Sequence, residues 1–249
     1  MRKYHLLVIC VLASTLAFGQ KKYEMVVEKT DGTKTVYKTE DIVHIYFKEN
    51  VDGSASYLTC PDDNHPHLID LGIGTKWACC NVDAISPEGY GGFYAWGETS
   101  EKLDYSWGTY IHCDGSAETC HNLGESICGT DYDVAHVKWG GPWRMPSKTE
   151  IQVLLNNCSH TVTTKNGVKG MLFTGANGGS IFLPCAGYRS GTSIYGQGRD
   201  GDYWSGNPLI YDNGLVYGFL VNDNGFANWD YNRYYGLTVR PVAELSDEE

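Results

Sequence analysis

Three of the four Asn-Gly pairs, Asn166-Gly167, Asn177-Gly178 and Asn224-Gly225, each separate two short apolar runs. Asn and Gly tolerate the positive φ that a two-residue hairpin demands, so each pair predicts a point where one strand folds back on the next. Asp31-Gly32 predicts a fourth such turn near the start. With 30 glycines and 18 tyrosines, the chain favours short strands, tight turns and aromatic surfaces over long helices. Its 42% hydrophobic and 20% charged residues match a packed soluble core, and 249 residues allow one large domain with a small accessory unit. The expected fold class is α+β, strand- and loop-rich with one or two short helices.

Residues 20–50 read as a small N-terminal β unit. Tyr23–Val27, Lys34–Tyr37 and Asp41–Phe47 are its strand-like runs, the last with Ile42, His44 and Tyr46 on one face. Residues 51–66 are polar and rich in Gly, Ser, Asp and Pro, and read as a linker. Residues 67–243 form the main domain. Its clearest helix follows Pro146. Ser147 and Glu150 make a capping box, and Ile151, Leu154 and Leu155 share one face. Ser86-Pro87-Glu88 marks a helix or turn start. Phe93–Gly97 reads as a short aromatic strand. Residues 98–130 hold few core-forming residues and read as a long excursion, stapled by disulfide if ordered. Further strands are expected around 162–164, 170–173, 180–183, 203–205, 216–221 and 235–242, and residues 244–249 form an acidic tail. No fixed-period repeat is present.

The N-terminus predicts export. Arg2 and Lys3 precede an apolar run from Leu6 to Leu16, followed by Ala17-Phe18-Gly19 and Gln20, the pattern of a secretory signal peptide over residues 1–19. The apolar run falls well short of the roughly 20 residues that span a bilayer. No other segment is apolar enough to cross, so no direct membrane span is expected, and the protein is placed in the medium or at the outer cell surface. The chain carries net charge −11. Loss of Arg2 and Lys3 would leave 17 basic against 30 acidic residues, a net of −13. A surface this acidic repels phosphate backbones, which sets nucleic acid aside as a partner.

Eight cysteines remain beyond Cys10. An even number in an exported chain permits disulfides, but eight cysteines allow 105 full pairings and sequence does not choose among them. Zinc is set aside at this level. There is no Cys-x-x-Cys, and the adjacent Cys79 and Cys80 point opposite ways on a strand. No EF-type loop is present and no calcium site is predicted. No cofactor is expected.

A specific resemblance runs through the main domain. It is carried by Asp70-Leu71-Gly72, Thr75–Ala78, Cys80-Asn81-Val82, Pro87–Gly91 and Phe93–Thr99. It continues in Asp133–His136, Trp139–Pro146, Asn157-Cys158, Ser180–Pro184, Ala186–Arg189, Tyr203–Ser205 and the closing Gly236–Val242. In this order the motifs resemble the Fibrobacter succinogenes major paralogous domain family. The resemblance implies a C-type lectin-like fold, related to sulfatase-modifying-factor domains, in exported and often surface-associated Bacteroidetes proteins. Cys79 and Cys185 stand where the family usually has other residues, which makes them a candidate private disulfide. Cys80 with Cys158 and Cys113 with Cys128 are further candidate pairs.

Some related folds are enzymes, so catalysis has to be judged on residues. Formylglycine-generating enzymes use a late cysteine pair, and no cysteine follows Cys185 here. Iron-dependent relatives need clustered histidines. His65 and His67 lie in the linker with no third partner evident, His112 and His121 lie in the excursion, and His136 and His160 stand alone. There is no Gly-x-Ser-x-Gly elbow, and no acidic pair is singled out. The expectation is therefore a non-catalytic module that binds a glycan or a surface protein. A structural envelope component is the alternative, and a sulfatase-modifying-factor-like enzyme a more distant one.

Binding is expected on the C-terminal loop face, where aromatic side chains alternate with Gly, Asn and Asp. Its candidate residues are Tyr195, Arg199, Trp229, Tyr231, Arg233 and Tyr234. Trp229, Tyr231 and Arg233 alternate, so a strand would place all three on one face. Tyr188, Arg189, Tyr203, Trp204 and Arg240 are expected to be structural, as are Trp77, Trp96, Trp139 and Trp143.

Overall fold

A computed structural model describes residues 24–28, 34–38, 60 and 65–243. The expected signal peptide, the third strand-like run at 41–47, most of the expected linker and the acidic tail lie outside the described residues. The chain separates into two units, Met1–Ser54 and Ala55–Glu249, with the division inside the expected linker. In the first unit β1 (Glu24–Glu28) pairs antiparallel with β2 (Lys34–Lys38), as the Asp31-Gly32 turn signal predicts.

The second unit is strand- and loop-rich with few helices. β3 (Leu68–Asp70) pairs with β4 (Lys76–Ala78), and the first helix, α1, covers Val134–Trp139. Next come β5 (Trp143–Arg144) and α2 (Lys148–Asn157). The strands β6 (Ser159–Lys165), β7 (Val168–Thr174) and β8 (Ser180–Pro184) form one antiparallel sheet. β9 (Tyr188–Ser190) and β10 (Ser193–Tyr195) form a two-stranded hairpin. β11 (Gly201–Pro208), β12 (Leu215–Asn222) and β13 (Gly225–Asn232) form a third sheet. Finally β14 (Val242–Ala243) inserts between β4 and β5, in the order β3-β4-β14-β5. Among the described residues no helix is long and apolar enough to cross a membrane.

The Asn-Gly pairs do what their chemistry predicts. Asn166 and Gly167 take φ of 48° and 82° and join β6 to β7, while Asn224-Gly225 joins β12 to β13. α2 starts as expected, with Ser147 and Glu150 capping each other's backbone, and buries Ile151, Leu154 and Leu155.

Two large core clusters fill the domain, beside a smaller third one of Phe93, Ala95, Tyr105, Tyr110 and Ala186. One gathers Trp96, Trp139, Trp143, Trp204 and Tyr231. The other gathers Trp77, the apolar face of α2, Phe173, Tyr203 and Phe219. The four expected core tryptophans are all buried. The 98–130 excursion differs from expectation. It buries Tyr105, Tyr110 and Ile127, because their hydroxyls and backbone find partners inside. The Tyr105 hydroxyl donates to the Phe93 carbonyl (2.5 Å) and the Tyr110 hydroxyl to the Trp96 carbonyl (2.8 Å).

Candidate functional site

Three distant segments are stitched side by side by backbone pairing. Tyr105 and Gly191 exchange two hydrogen bonds of 2.8 Å, and Arg189 and Gly236 exchange two of 2.8 and 3.0 Å. Gly236 is required there, since a Cβ would sit 2.5 Å from the Tyr105 ring. Within the β9–β10 hairpin, register sets Tyr188 opposite Tyr195.

The consequence is a chain of rings in continuous contact. Tyr195 stacks on Tyr188 (centroids 5.5 Å apart), Tyr188 meets Tyr235 (5.1 Å), Tyr235 meets Tyr234 (4.7 Å) and Tyr234 meets Trp107 (4.7 Å). Trp107 then meets Tyr110 (6.0 Å), Tyr110 meets His112 (5.6 Å) and His112 meets Tyr132 (5.3 Å). Tyr195 and Tyr132 at its two ends are exposed, Tyr110 is buried, and the other five rings are half-buried. Burial also lowers the pKa of His112 below the usual imidazole value, which favours its neutral, stacking form. Beside the stripe lies a pocket of about 550 Å³ lined by residues 98–104, Thr109 and Ile111. Lys102 joins the two, its ammonium 5.7 Å over the Tyr110 ring and 2.7 Å from Glu98.

Of the six residues expected to bind, the structure brings Tyr195 and Tyr234 into this stripe. Arg199 is exposed in the turn after β10, paired with Asp200 at 2.7 Å, and Trp229 is exposed on the edge strand β13. Tyr231 and Arg233 are corrected, because both are buried. Tyr231 packs its ring against Trp204 and over Gly218, where any Cβ would collide at 2.8 Å, and its hydroxyl donates to Asp202 at 2.7 Å. Arg233 lies 4.6 Å from the Trp96 ring and donates to the His121 carbonyl, tying the excursion down.

Asp202 is the acid beneath Tyr231. Burial pushes its pKa from 3.8 up to about 6, and its second carboxylate oxygen has no hydrogen-bond partner. The folded state therefore prefers the protonated acid. That stabilisation is complete below about pH 4 and is lost as pH rises through about 6, in total about 3 kcal/mol. Urea midpoints measured from pH 4 to pH 7 should fall along this limb, and Asp202→Asn should flatten it. An unchanged slope in the variant would refute the assignment.

The cysteine pairs are also corrected. No disulfide joins the described cysteines. Cys80 and Cys158 are packed in separate core clusters. Cys113 has Cys120 as its thiol neighbour, whereas Cys128 abuts Gly206. Cys79 lies against Cys60, Cys80 and His67, while Cys185 is held by backbone bonds to Lys169 and Gly198. Contact with Cys60 and burial push Cys79 up to about 12.

His65 and His67 do have neighbours after all. With Cys60 and Cys79 they form a quartet whose donor atoms lie within 4.8 Å of one another. The spacing Cys-x4-His-x-His-x11-Cys carries no standard signature. Only the His-x-His repeat, which puts two imidazoles on one face of an extended segment, pointed towards it. No family model, curated protein or solved structure matches this chain.

Proposed function

We propose that residues 67–243 form an exported, non-catalytic binding domain of C-type lectin-like type that holds a glycan on the aromatic stripe from Tyr195 to Tyr132. The contiguity of the stripe carries this reading. Eight rings contributed by four chain segments meet stacked, tilted or edge to face, and backbone bonds join three of those segments. Tyr and Trp offer rigid contact area with a polar tip at low entropic cost, which suits the apolar faces and hydroxyl rims of sugar rings. The adjoining pocket adds convergent polar groups from Glu98, Glu101 and Lys102. The resemblance to the Fibrobacter succinogenes major paralogous domain family and the export signal both support a site used outside the cytoplasm.

A glycan array probed with the purified chain tests the proposal. The double variant Tyr195→Ala/Tyr234→Ala should lose about tenfold or more in affinity, since the exposed Tyr195 ring and the half-buried Tyr234 ring each contribute about 1 kcal/mol. Trp229→Ala should leave binding unchanged, because Trp229 makes none of the stripe's ring contacts. Retention of full affinity in the double variant would refute the stripe. A surface-protein ligand would show instead as a silent array with binding to whole cells.

A further inference from the structure

We propose that Cys60, His65, His67 and Cys79 form a closed, four-coordinate zinc site that fastens the start of the domain to its central sheet. The local backbone explains the convergence. β3 and β4 pair Leu68 with Ala78, so the next pair outward is His67 with Cys79, and the Cys79 amide donates to the His67 carbonyl at 2.9 Å. Directly opposed residues of an antiparallel pair present their side chains to the same face. Pro66 favours extended backbone at position 65, and the two-residue period of extended chain then brings His65 to the face of His67. The two imidazoles meet at 5.5 Å between centroids. Cys60 lies beside Cys79, and both cysteines are buried.

The distances suit the ion. Zinc–sulfur bonds of about 2.3 Å and zinc–nitrogen bonds of about 2.0–2.1 Å give a tetrahedron with edges of about 3.4–3.8 Å. Cys79 Sγ and His67 Nδ1 are 3.5 Å apart. The widest donor pair is within 4.8 Å, so an inward shift of about 1 Å closes the set. Two thiolates and two neutral imidazoles balance a divalent charge, which suits a half-buried location. The surroundings also hold the ligands in place. The buried Arg240 donates to the carbonyls of Ala78 and Cys79 at 3.1 and 2.8 Å, fixing the backbone on which Cys79 sits. Four protein donors leave no open position, so the role is structural.

The test uses the whole chain, reduced, stripped with a chelator and titrated with zinc and with cobalt(II). One zinc per chain is expected, and cobalt should give the visible bands of a tetrahedral thiolate centre. His67→Ala and Cys79→Ser should each drop stoichiometry to near zero, while His160→Ala, an exposed histidine on β6, should keep it. Zinc should raise the melting temperature of the parent and leave that of His67→Ala unmoved. The proposal is overturned if the parent chain takes up no stoichiometric metal, if metal stays bound in His67→Ala, or if peptide mapping of the native protein finds Cys60 disulfide-bonded to Cys79 or Cys80. The parent titration decides the matter even if a variant fails to fold.

Discussion

Arg240→Ala is expected to abolish the folded domain, reducing stability by at least about 4 kcal/mol out of a typical total of 5–15 kcal/mol. Arg240 is fully buried, and its guanidinium donates in three directions. Nε reaches Asn81 Oδ1 (2.7 Å), Nη1 the Ala78 and Cys79 carbonyls, and Nη2 the Phe182 carbonyl (2.8 Å). Removing it strands four acceptors in the core, each costing about 1–3 kcal/mol less what relaxation recovers. It also uncouples β8 from the segment after β4. Arg240→Lys keeps the charge, but a single ammonium cannot serve separated acceptors as a planar fork does, and a loss of about 2–3 kcal/mol is expected. Urea unfolding followed by far-ultraviolet circular dichroism measures both. A soluble Arg240→Ala with near-parental midpoint would show that the guanidinium is not the brace described.

Asp133→Ala should be nearly as damaging, at about 3 kcal/mol or more. One oxygen of Asp133 accepts from the Ala135 and His136 amides at the start of α1, at 2.9 and 3.1 Å. The other accepts from Gly129 (2.8 Å) and Met145 (2.7 Å). Loss of an ordinary N-cap costs about 1 kcal/mol. Here the same carboxylate also fixes the loop before the helix and the strand after it, so four amides lose their acceptor together. Asp133→Asn is nearly isosteric, yet it turns one oxygen into a donor facing two amides, and it should recover less than half of the loss. Chemical denaturation of the two variants checks the order. An Asp133→Asn as stable as the parent would mean that the second pair of bonds contributes nothing.

Turn chemistry was the most legible part of this chain. Asn-Gly pairs need no tertiary context to prefer positive φ, and they marked hairpins β6–β7 and β12–β13 correctly. The capping box of α2 is equally local. α1 went unread because six residues give too little periodicity. Its signals were Asp133 as the cap and Gly140 just past the end, at φ 67°. The excursion was misjudged because tyrosines look polar in sequence, while Tyr105 and Tyr110 are buried with their hydroxyls on carbonyls.

The binding residues show the same divide. Alternation correctly relates Trp229 and Tyr231 but does not say where along the strand the core begins. That depends on Gly218, which stands opposite Trp229 and diagonal to Tyr231 in the ladder and leaves the space that the Tyr231 ring fills. The stripe depends on which segments Tyr105, Gly191, Arg189 and Gly236 join, and the Cys-His quartet depends on the β3–β4 register. Neither pairing is written in local sequence.

The placement of β14 constrains when the domain can form. Val242 and Ala243 lie between Trp77-Lys76 on one side and Arg144-Trp143 on the other. A nascent chain emerging in order makes β3, β4 and β5 well before β14, so the central sheet closes only when Val242 and Ala243 arrive. Until then Trp77 and Arg144 lack the strand that joins them, so a truncation that removes Val242 and Ala243 opens the central sheet at its middle.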